Sequence, residues 1–332
     1  MMNEPELNNR VGAVVIGRNE GDRLVCCLLT MIERVKLIVY VDSGSTDNSP
    51  QRAAAMGVEV VALDMGIPFT AARARNEGVE HLLKRAPDIG YIQFVDGDCE
   101  IDAGWISKAS AFLDSHPQYA VVCGRRRERY PEHSIYNMMC DTEWNTPVGE
   151  AKSCGGDAMM RVSAFREVGG YRADLIAGEE PELCIRLRKK HWRIWRLDAE
   201  MTLHDAAITR FGQWWRRSMR AGHAYAEGAC LHGASPERHW VKESIRSWLW
   251  GLWIPVVALL ASIFYGAGAF LILAVYPLHI FRLGLRNKWS SQAYPWARAF
   301  FSVAGKFAEV YGQLKFHHNR WLGRAIKLIE YK

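Results

Sequence analysis

The sequence predicts an α/β protein whose first part is a Rossmann-like sandwich with a mostly parallel sheet and whose last part is helical. Two patterns in the 332 residues lead to this fold class. The first hundred residues alternate near-continuous apolar runs with helical patterns, and a 35-residue run at 247–281 contains no Asp, Glu, Lys or Arg. Apolar strands separated by helices are typical of parallel sheets that are covered on both faces.

Each predicted element follows from one of these runs. The first four strands are predicted at 11–17, 36–42, 58–63 and 91–96, with helices at 22–34, 47–56 and 70–84. Later strands are predicted at 121–126, at the end of a loop over 153–161 and within 192–205, and a further helix at 179–190. Ligands of such sheets bind beyond the carboxyl ends of the strands. The polar segments 17–21, 42–49 and 96–100 are therefore the candidate site.

Composition limits the class of protein. With 49% hydrophobic and 23% charged residues, the chain is an ordinary globular protein with one large domain and an appendage. Eight scattered cysteines without a CxxC pair, and no secretory signal before Val11, argue against a disulfide framework and against a zinc site. We expect free thiols and a cytoplasmic catalytic part. The first turn lacks GxGxxG, which argues against a NAD enzyme.

We predict a catalytic domain at 1–230 and a helical, membrane-associated region at 231–332. One helix over 247–281 would be about 50 Å long, which exceeds a bilayer core of about 30 Å. We therefore expect an apolar hairpin that breaks at Gly266 and Gly268, between the flanking cations Arg246 and Arg282. The positive-inside rule puts those cations on the cytoplasmic face of the cell membrane. Two spans, insertion into one leaflet and a buried soluble hairpin all remain open.

The tail at 282–332 is basic, with ten Lys or Arg and two Glu. Cations alternate there with aromatic residues, at Lys306, Lys315, Arg320, Arg324 and Lys327. A basic amphipathic segment beside an apolar run is typical of the membrane surface, where each cation contributes about 1 kcal/mol. We expect membrane lipid and no nucleic acid as its partner, while the oligomeric state stays undetermined.

Two carboxylates close the fourth strand. Asp96 and Asp98, separated by Gly97, could approach one Mn²⁺ or Mg²⁺ ion while phosphate oxygens fill its other positions. The alternative is a solvated turn, since Asp-Gly is common in turns. A second strand ends at Asp42, which with the hydroxyls of residues 43–46 could hydrogen-bond a base and a ribose.

Five motifs, in this order, resemble those of the inverting family 2 glycosyltransferases with the GT-A fold. They are VDSGSTDNS from Val41, ARARNEG ending at Gly78, FVDGDCEI from Phe94, GGDAMMR from Gly155 and GEEPEL from Gly178. The resemblance covers about residues 11–229. It implies a nucleotide-sugar donor, a glycan or lipid-linked acceptor and a divalent cation.

The resemblance implies a donor side and a metal site. The donor residues would be Asp42, Arg18, Asn19, Glu20, Asp96 and Gly97, with Arg73 and Asn76 as the ARNxG element near the diphosphate. Asp98 would be the direct metal ligand, with help from Asp96 and His204. A surface ion pair for Arg73 and a structural role for His204 are the alternatives.

The resemblance also implies a base and an acceptor side. Glu180 would take the proton of the acceptor hydroxyl, although a helix N-terminus alone would also favour acidic residues there. Acceptor contacts would come from Gly156, Asp157, Glu179, Gln213, Trp214 and Arg216. Because Arg217 replaces the tryptophan of the QxxRW element of processive synthases, polymerisation is in doubt. Trp214 could instead serve packing.

The expected function is the transfer of a sugar from a UDP- or GDP-sugar to an acceptor hydroxyl in cell-surface polysaccharide or glycolipid synthesis. A catalytically silent nucleotide-sugar-binding scaffold is the main alternative. A phosphatase that uses the DxD pair is a weaker one, because Glu100 stands where that class needs Thr or Val.

Overall fold

The computed structural model describes residues 10–290, 293–323 and 329–330. It divides into two compact units, of which the first comprises the chain up to Tyr130 and Cys140–Ala206. The second comprises Pro131–Met139 and the chain from Ala207 onwards. The compact unit therefore ends earlier than the boundary predicted at residue 230. The helix that follows Ala206 clusters with the C-terminal helices instead.

A nine-stranded mixed sheet forms the first unit. Its strands are β1 (Val11–Gly17), β2 (Leu37–Asp42), β3 (Glu59–Ala62), β4 (Tyr91–Asp96), β5 (Cys99–Ile101), β6 (Tyr119–Glu128), β7 (Gly149–Ala151), β8 (Ala158–Arg161) and β9 (Arg193–His204). The order is β3-β2-β1-β4-β8-β6-β9-β5, and β7 pairs with β9. The four strands predicted first are all present. The three-residue strands β5 and β7 were not predicted, because such short runs carry no clear alternation.

Register brings the candidate site together. Strands β1 to β4 pair in parallel, with Gly17 opposite Asp42 and Ile16 opposite Asp96. Carboxyl ends of parallel strands meet at one edge of a sheet, so both aspartates lie there. Strand β5 pairs antiparallel with β9 and sets Cys99 opposite His204. His204, at the end of β9, is thereby brought beside the DGD turn, although the two are far apart in sequence.

Helices flank the strands. They are α1 (Asp22–Leu29), α2 (Ser49–Ala55), α3 (Ala71–Arg85), α4 (Trp105–Ser115), α5 (Ile135–Glu143), α6 (Val162–Glu167) and α7 (Glu179–Lys189). Helix α1 ends five residues before the predicted Arg34. The Thr30 hydroxyl donates to the Cys27 carbonyl at 2.6 Å, and Glu33 has a positive φ of 68°, so the chain turns there. Helix α3 begins after Thr70, whose hydroxyl accepts a bond from the Arg73 amide.

The second unit is helical. Its helices are α8 (Phe211–His232), α9 (Val241–Trp248), α10 (Ile254–Tyr265), α11 (Val275–Trp289) and α12 (Pro295–Trp321), with a π-helical turn at Leu249–Trp253 and a 3₁₀ segment at Gly266–Ala274. Helices α8 and α12 cross closely at Gly222, where an added Cβ would lie 2.0 Å from the Glu309 carbonyl oxygen. A glycine is needed there because no side chain fits between the two backbones.

The apolar run doubles back on itself. Gly266 has a φ of 68°. Trp250, which precedes this glycine, stacks its ring on that of His279, which follows it, with 4.3 Å between the centroids. The Tyr276 hydroxyl also donates to the Trp250 carbonyl. Such contacts are impossible in a straight helix, so the predicted break is present. We call residues 247–281 the hairpin, and its tip carries Phe264 and Tyr265, which are 81% and 82% exposed.

Helix α12 exposes a stripe of large apolar side chains. They recur at intervals of three, four or seven residues, which share one helix face, and we call them the α12 stripe: Trp296, Phe300, Phe307, Tyr311, Leu314 and Trp321. The Lys306 ammonium lies 2.7 Å from the Glu309 carboxylate. The described part of the predicted basic tail is therefore more aromatic than basic on its exposed face. Arg324 and Lys327 lie outside the described residues.

Candidate active site

Arg75 occupies the centre of a cluster of carboxylates at the carboxyl edge of the sheet. Its Nη2 donates to Asp96 Oδ1 at 2.9 Å, and its Nη1 donates to Glu179 Oε1 at 3.1 Å and to Glu180 Oε1 at 3.0 Å. The guanidinium side chain is 3% exposed. One arginine from α3 therefore joins the end of β4 to the start of α7.

Arg75 was missed by the sequence analysis, which placed Arg73 in this position. The literal motif ARNEG runs from Ala74 to Gly78, so its arginine is Arg75. Arg73 instead donates to the backbone carbonyls of Asp64, Ile67 and Pro68 and holds the loop before α3. A helix rotates by about 100° per residue, so two positions two residues apart lie on opposite sides. The shift of two residues moved the assignment to the wrong face of α3.

Asn76 is likewise a loop-holding residue. Its amide donates to the Tyr171 carbonyl at 2.7 Å and accepts from the Tyr171 amide at 2.9 Å. The side-chain amide of Asn76 is therefore satisfied by backbone groups, and its predicted place near a diphosphate stays a prediction.

Glu180 has the electrostatic environment of a proton acceptor. Burial, and then the neighbouring charge of Glu179, raise the pKa of Glu180 to about 7, against the opposing effect of Arg75. Its side chain keeps 15% exposure, whereas that of Glu179 has 4%. Glu179 is thus buried against Arg75, and its predicted contact with an acceptor stays a prediction. Of the two acids, Glu180 is the accessible one.

Asp96 stays ionised. Burial alone would raise the pKa of Asp96, but Arg75 and then Arg126 outweigh it, so that the pKa is lowered. The Arg126 Nη2 lies 3.3 Å from Asp96 Oδ2. Both carboxylate oxygens thus accept from guanidinium groups. Asp96 was predicted both to contact the donor and to help Asp98 bind the metal. This pairing with two guanidinium groups favours a place for Asp96 beside the metal over direct ligation of it.

Asp157 is 1% exposed. Its Oδ1 accepts from the Asp96 amide at 3.2 Å, and its Oδ2 accepts from the Thr202 hydroxyl at 2.8 Å. Arg126 Nη1 lies 3.4 Å from the same Oδ2. The predicted contact of Asp157 with an acceptor stays a prediction, and both carboxylate oxygens of this residue accept hydrogen bonds inside the protein. Asp157 fixes the backbone at the start of the DGD turn.

Gly156 provides the space in which the cluster forms. An added Cβ would lie 2.4 Å from Arg75 Nη2, 3.1 Å from Glu180 Oε1 and 3.2 Å from Asp96 Oδ2. At Gly155 an added Cβ would meet nothing within 4 Å. The loop before β8 therefore approaches the carboxylate cluster most closely at Gly156.

Asp98 and His204 form a candidate metal site. His204 Nε2 lies 3.3 Å from Asp98 Oδ2, and both side chains are nearly buried. With Cys99 they form a group whose ligand atoms lie within 4.8 Å of one another. Burial raises the pKa of the Cys99 thiol, so it stays protonated and donates to Asp98. A carboxylate and an imidazole that leave other positions for phosphate oxygens fit Mn²⁺ or Mg²⁺.

A second group of possible metal ligands consists of Asp96, Cys99 and Asp157. An arginine side chain contacts these three residues. Arg126 reaches all three, with its Nη2 at 3.6 Å from Cys99 Sγ. A guanidinium charge in this position opposes a second cation, so we assign the metal site to Asp98 and His204. Arg126 was not predicted, although it lies in the predicted strand at 121–126.

The ends of β1 and β2 are tied together. The side-chain oxygen of Asn19 accepts a hydrogen bond from the Thr46 backbone amide at 2.7 Å. The backbone amide of Asn19 donates to the Ser45 hydroxyl at 2.9 Å. Asp42 accepts from the amides of Gly44 and Ser45 and from the Tyr40 hydroxyl. The loops predicted for a nucleotide thus form one surface.

The flanks of this surface are held by side-chain contacts. Glu20 pairs with Arg23 at 2.8 Å, and the Arg18 guanidinium lies 5.1 Å from the Phe69 ring centroid. Gly97 donates its amide to the Ile16 carbonyl at 2.8 Å, which anchors the DGD turn on β1.

Three predicted acceptor residues belong to the second unit. The Gln213 amide oxygen accepts from the backbone amides of Thr209 and Arg210 and caps helix α8. Arg216 donates to the Gly212 carbonyl at 3.3 Å. Trp214 is buried, with its ring centroid 4.9 Å from that of Phe301. The contacts of Trp214 are therefore those of a packing residue, which was the alternative to an acceptor contact.

Comparisons with known proteins bear on the family and the fold of this chain. Residues 13–169 match the sequence model of Glycosyl transferase family 2. The solved mannosyltransferase PcManGT from Pyrobaculum calidifontis, in complex with GDP-Man and Mn²⁺, has a similar fold, with a TM-score of 0.61 and 18% identity over 94% of this chain and 88% of that one. Residues 1–349 of TarS from S. aureus align with a TM-score of 0.48 and 15% identity over 95% and 92% of the chains, which is too low to bear on the fold.

A search of curated proteins found no match. The family match covers strands β1 to β4, Arg75 and the DGD turn but ends before Glu179 and Glu180, and the structural likeness extends the GT-A fold beyond it. The domain over residues 13–169 therefore belongs to glycosyl transferase family 2.

Proposed function

We propose that the protein is an inverting glycosyltransferase that moves a sugar from a nucleotide-diphosphate donor to an acceptor hydroxyl. Family 2 membership supports glycosyl transfer. The observation that carries the proposal is the environment of Glu180, a partly exposed carboxylate whose pKa is raised to about 7 beside the DGD turn. The raised pKa suits a group that must accept a proton near neutral pH.

Glu180 would act as the base. An acceptor hydroxyl cannot attack the anomeric carbon efficiently while it keeps its proton, and inversion requires a base on the face opposite the leaving group. Arg75 holds Glu180 at 3.0 Å and Asp96 at 2.9 Å, so the base has a fixed position relative to the end of β4. Gly156 lets the loop before β8 approach Glu180 and Arg75 closely.

The donor would bind along the joined ends of β1, β2 and β4. Asp42 and the loop at 18–20 would hold the base and ribose, and Arg75, the arginine of the ARNEG motif, would lie near the diphosphate. Asp98 and His204 would hold Mn²⁺ or Mg²⁺, which when bound supplies positive charge against the charge that grows on the leaving diphosphate. PcManGT was solved with GDP-Man and Mn²⁺, which supports a donor and a metal of this class.

The second unit would attach the enzyme to the cytoplasmic face of a membrane. The helical stretch Val241–Trp289 is long and apolar enough to cross a bilayer. Its exposed apolar side chains, Leu259, Ile263, Phe264 and Leu271 among them, need a partner other than water. The α12 stripe adds aromatic side chains of the kind found at membrane interfaces. A lipid-linked acceptor would then be delivered in the same membrane.

Two substitutions test the catalytic proposal on the full chain in detergent. Glu180→Gln should keep metal-dependent nucleotide binding, while its transfer rate should fall by a factor of about 10² or more, because only the base is removed. Asp98→Asn should lose metal-dependent nucleotide binding itself. Binding is measured by calorimetry with MnCl₂ and UDP or GDP, and transfer by release of nucleotide.

The control is Glu77→Gln, which removes an exposed charge from α3 and should behave as wild type. Normal turnover by Glu180→Gln would exclude this residue as the base. Metal-dependent binding that survives in Asp98→Asn would exclude Asp98 as a ligand.

A further inference from the structure

Trp144 lies at the edge of the site and has no role so far. It follows directly after α5, its ring is half-buried, and the next four residues, 145–148, are exposed. A large aromatic side chain at the border between the carboxylate cluster and an exposed loop is placed to touch both the site and what enters it.

The first contact of Trp144 is with Arg126. The guanidinium carbon lies 4.9 Å from the centre of the Trp144 ring, within the range of a cation–π interaction. The same guanidinium pairs with Asp96 at 3.3 Å and with Asp157 at 3.4 Å. The ring therefore limits the positions that Arg126 can take beside the first carboxylate of the DGD turn.

The second contact of Trp144 is with His204. The two ring centroids are 4.7 Å apart and the planes are nearly perpendicular at 85°, an edge-to-face arrangement that is favourable for aromatic pairs. His204 Nε2 lies 3.3 Å from Asp98 Oδ2. Trp144 thus touches one partner of each aspartate in the turn.

We propose that Trp144 is a positioning residue that orders the DGD turn for metal and nucleotide by holding Arg126 and His204 in place. This inference rests on the proposed function. The contribution is one of preorganisation: side chains that are already oriented cost less ordering entropy when the ligand binds. Trp144 touches neither Glu180 nor Arg75 in the contacts described above, so its effect falls on ligand binding and not on proton transfer.

Three variants separate the aromatic ring from simple bulk. Trp144→Phe keeps a ring, Trp144→Leu keeps an apolar cover without π electrons, and Trp144→Ala removes both. Trp192→Leu is the matched control, since this half-buried tryptophan donates to Glu167 at 2.8 Å elsewhere in the same unit. All four are made in the full chain and purified in detergent.

The primary measurement is the equilibrium binding of MnCl₂ with UDP and, separately, with GDP by calorimetry. Trp144→Leu and Trp144→Ala should raise the dissociation constant about tenfold, and Trp144→Phe by about threefold or less. Trp192→Leu should bind as wild type. In turnover assays the donor KM should rise in the same order while kcat and the pH midpoint stay as in wild type.

Each result has a defined meaning. If Trp144→Leu binds as tightly as Trp144→Phe, apolar cover is sufficient and the proposal is overturned. If the variants lose thermal stability but keep wild-type affinity, Trp144 is merely structural. Because Trp144→Phe and Trp144→Leu differ little in size, a folding failure of Trp144→Ala leaves the comparison intact. If wild type itself binds neither nucleotide with MnCl₂, the proposed function fails and this inference fails with it.

Discussion

At the scale of single residues, the site is a balance between few cations and more carboxylates. Arg75 serves Asp96, Glu179 and Glu180 at once. Asp96 has a second guanidinium, from Arg126, and its pKa is lowered. Glu180 shares the Arg75 guanidinium with Glu179, so burial and the neighbouring charge prevail and the pKa of Glu180 rises. Asp96 and Glu180 contact the same arginine, yet the pKa of Asp96 is lowered and that of Glu180 is raised.

A pH profile tests this balance. The base is active when deprotonated, so kcat/KM of wild type should rise with pH through a midpoint near the pKa of Glu180, about 7. Glu179→Gln removes the charge that helps to raise this pKa, so the midpoint should move to lower pH. Glu77→Gln should leave it unchanged. An unmoved midpoint in Glu179→Gln would show that the rising limb belongs to another group.

At the scale of elements, a loop, two helices and a strand meet at one glycine. The loop before β8 passes Arg75 of α3, Glu180 of α7 and Asp96 of β4 so closely that only a hydrogen fits at Gly156. The α7 N-terminus also favours carboxylates through its dipole. The elements therefore hold the cluster by close backbone approach as much as by ion pairs.

The glycine pair offers a matched test of this loop. Gly156→Ala places a Cβ 2.4 Å from Arg75 Nη2 and should displace the guanidinium, lowering transfer by about tenfold or more while the fold survives. Gly155→Ala meets nothing within 4 Å and should retain wild-type activity. Transfer rates and melting temperatures of both variants are compared. Equal activities would mean that the position of Arg75 does not matter for the reaction.

At the scale of the whole molecule, the unit that contains the sheet is followed along the chain by a helical unit with many exposed apolar side chains. Tip residues such as Phe264 and Tyr265 are more than four-fifths exposed, and Trp321 of the α12 stripe is 82% exposed. Since Lys306 is paired with Glu309, apolar burial and not ionic attraction should dominate membrane attachment.

The membrane prediction follows from that surface. Wild type should sediment with membranes and resist extraction by high salt, because ionic screening does not affect apolar burial. Single reporter cysteines replace the exposed Lys242 or Lys288, in a chain whose exposed Cys26 and Cys230 are changed to Ser. Both reporters should label only from the cytoplasmic side.

A third reporter at Tyr265, on the hairpin tip, distinguishes the two forms of insertion. Labelling from the opposite side would identify two spans, and protection from both sides would identify insertion into the membrane without crossing. Opposite labelling of residues 242 and 288 would contradict the hairpin, and full release by salt would reduce attachment to surface adsorption.

The sequence by itself determined the parallel strands, the DGD turn and the broken apolar run. Each rests on a local pattern: a buried strand must be apolar along its length, and a run of 35 residues without charge cannot be one span. The family motifs then identified Asp98 and Glu180 as the residues to examine. These conclusions needed no knowledge of which distant segments meet.

Only the tertiary structure decided how the charges are paired. Arg126 and His204 reach the turn because β6, β8 and β9 return beside β4, a register that no local pattern encodes. The tertiary structure likewise shows that Asp157 and Glu179, which were predicted to contact an acceptor, are buried and make contacts inside the protein. The electrostatic environment of a carboxylate is set by neighbours that are distant in sequence, so the difference between Asp96 and Glu180 could not be predicted from the residues themselves.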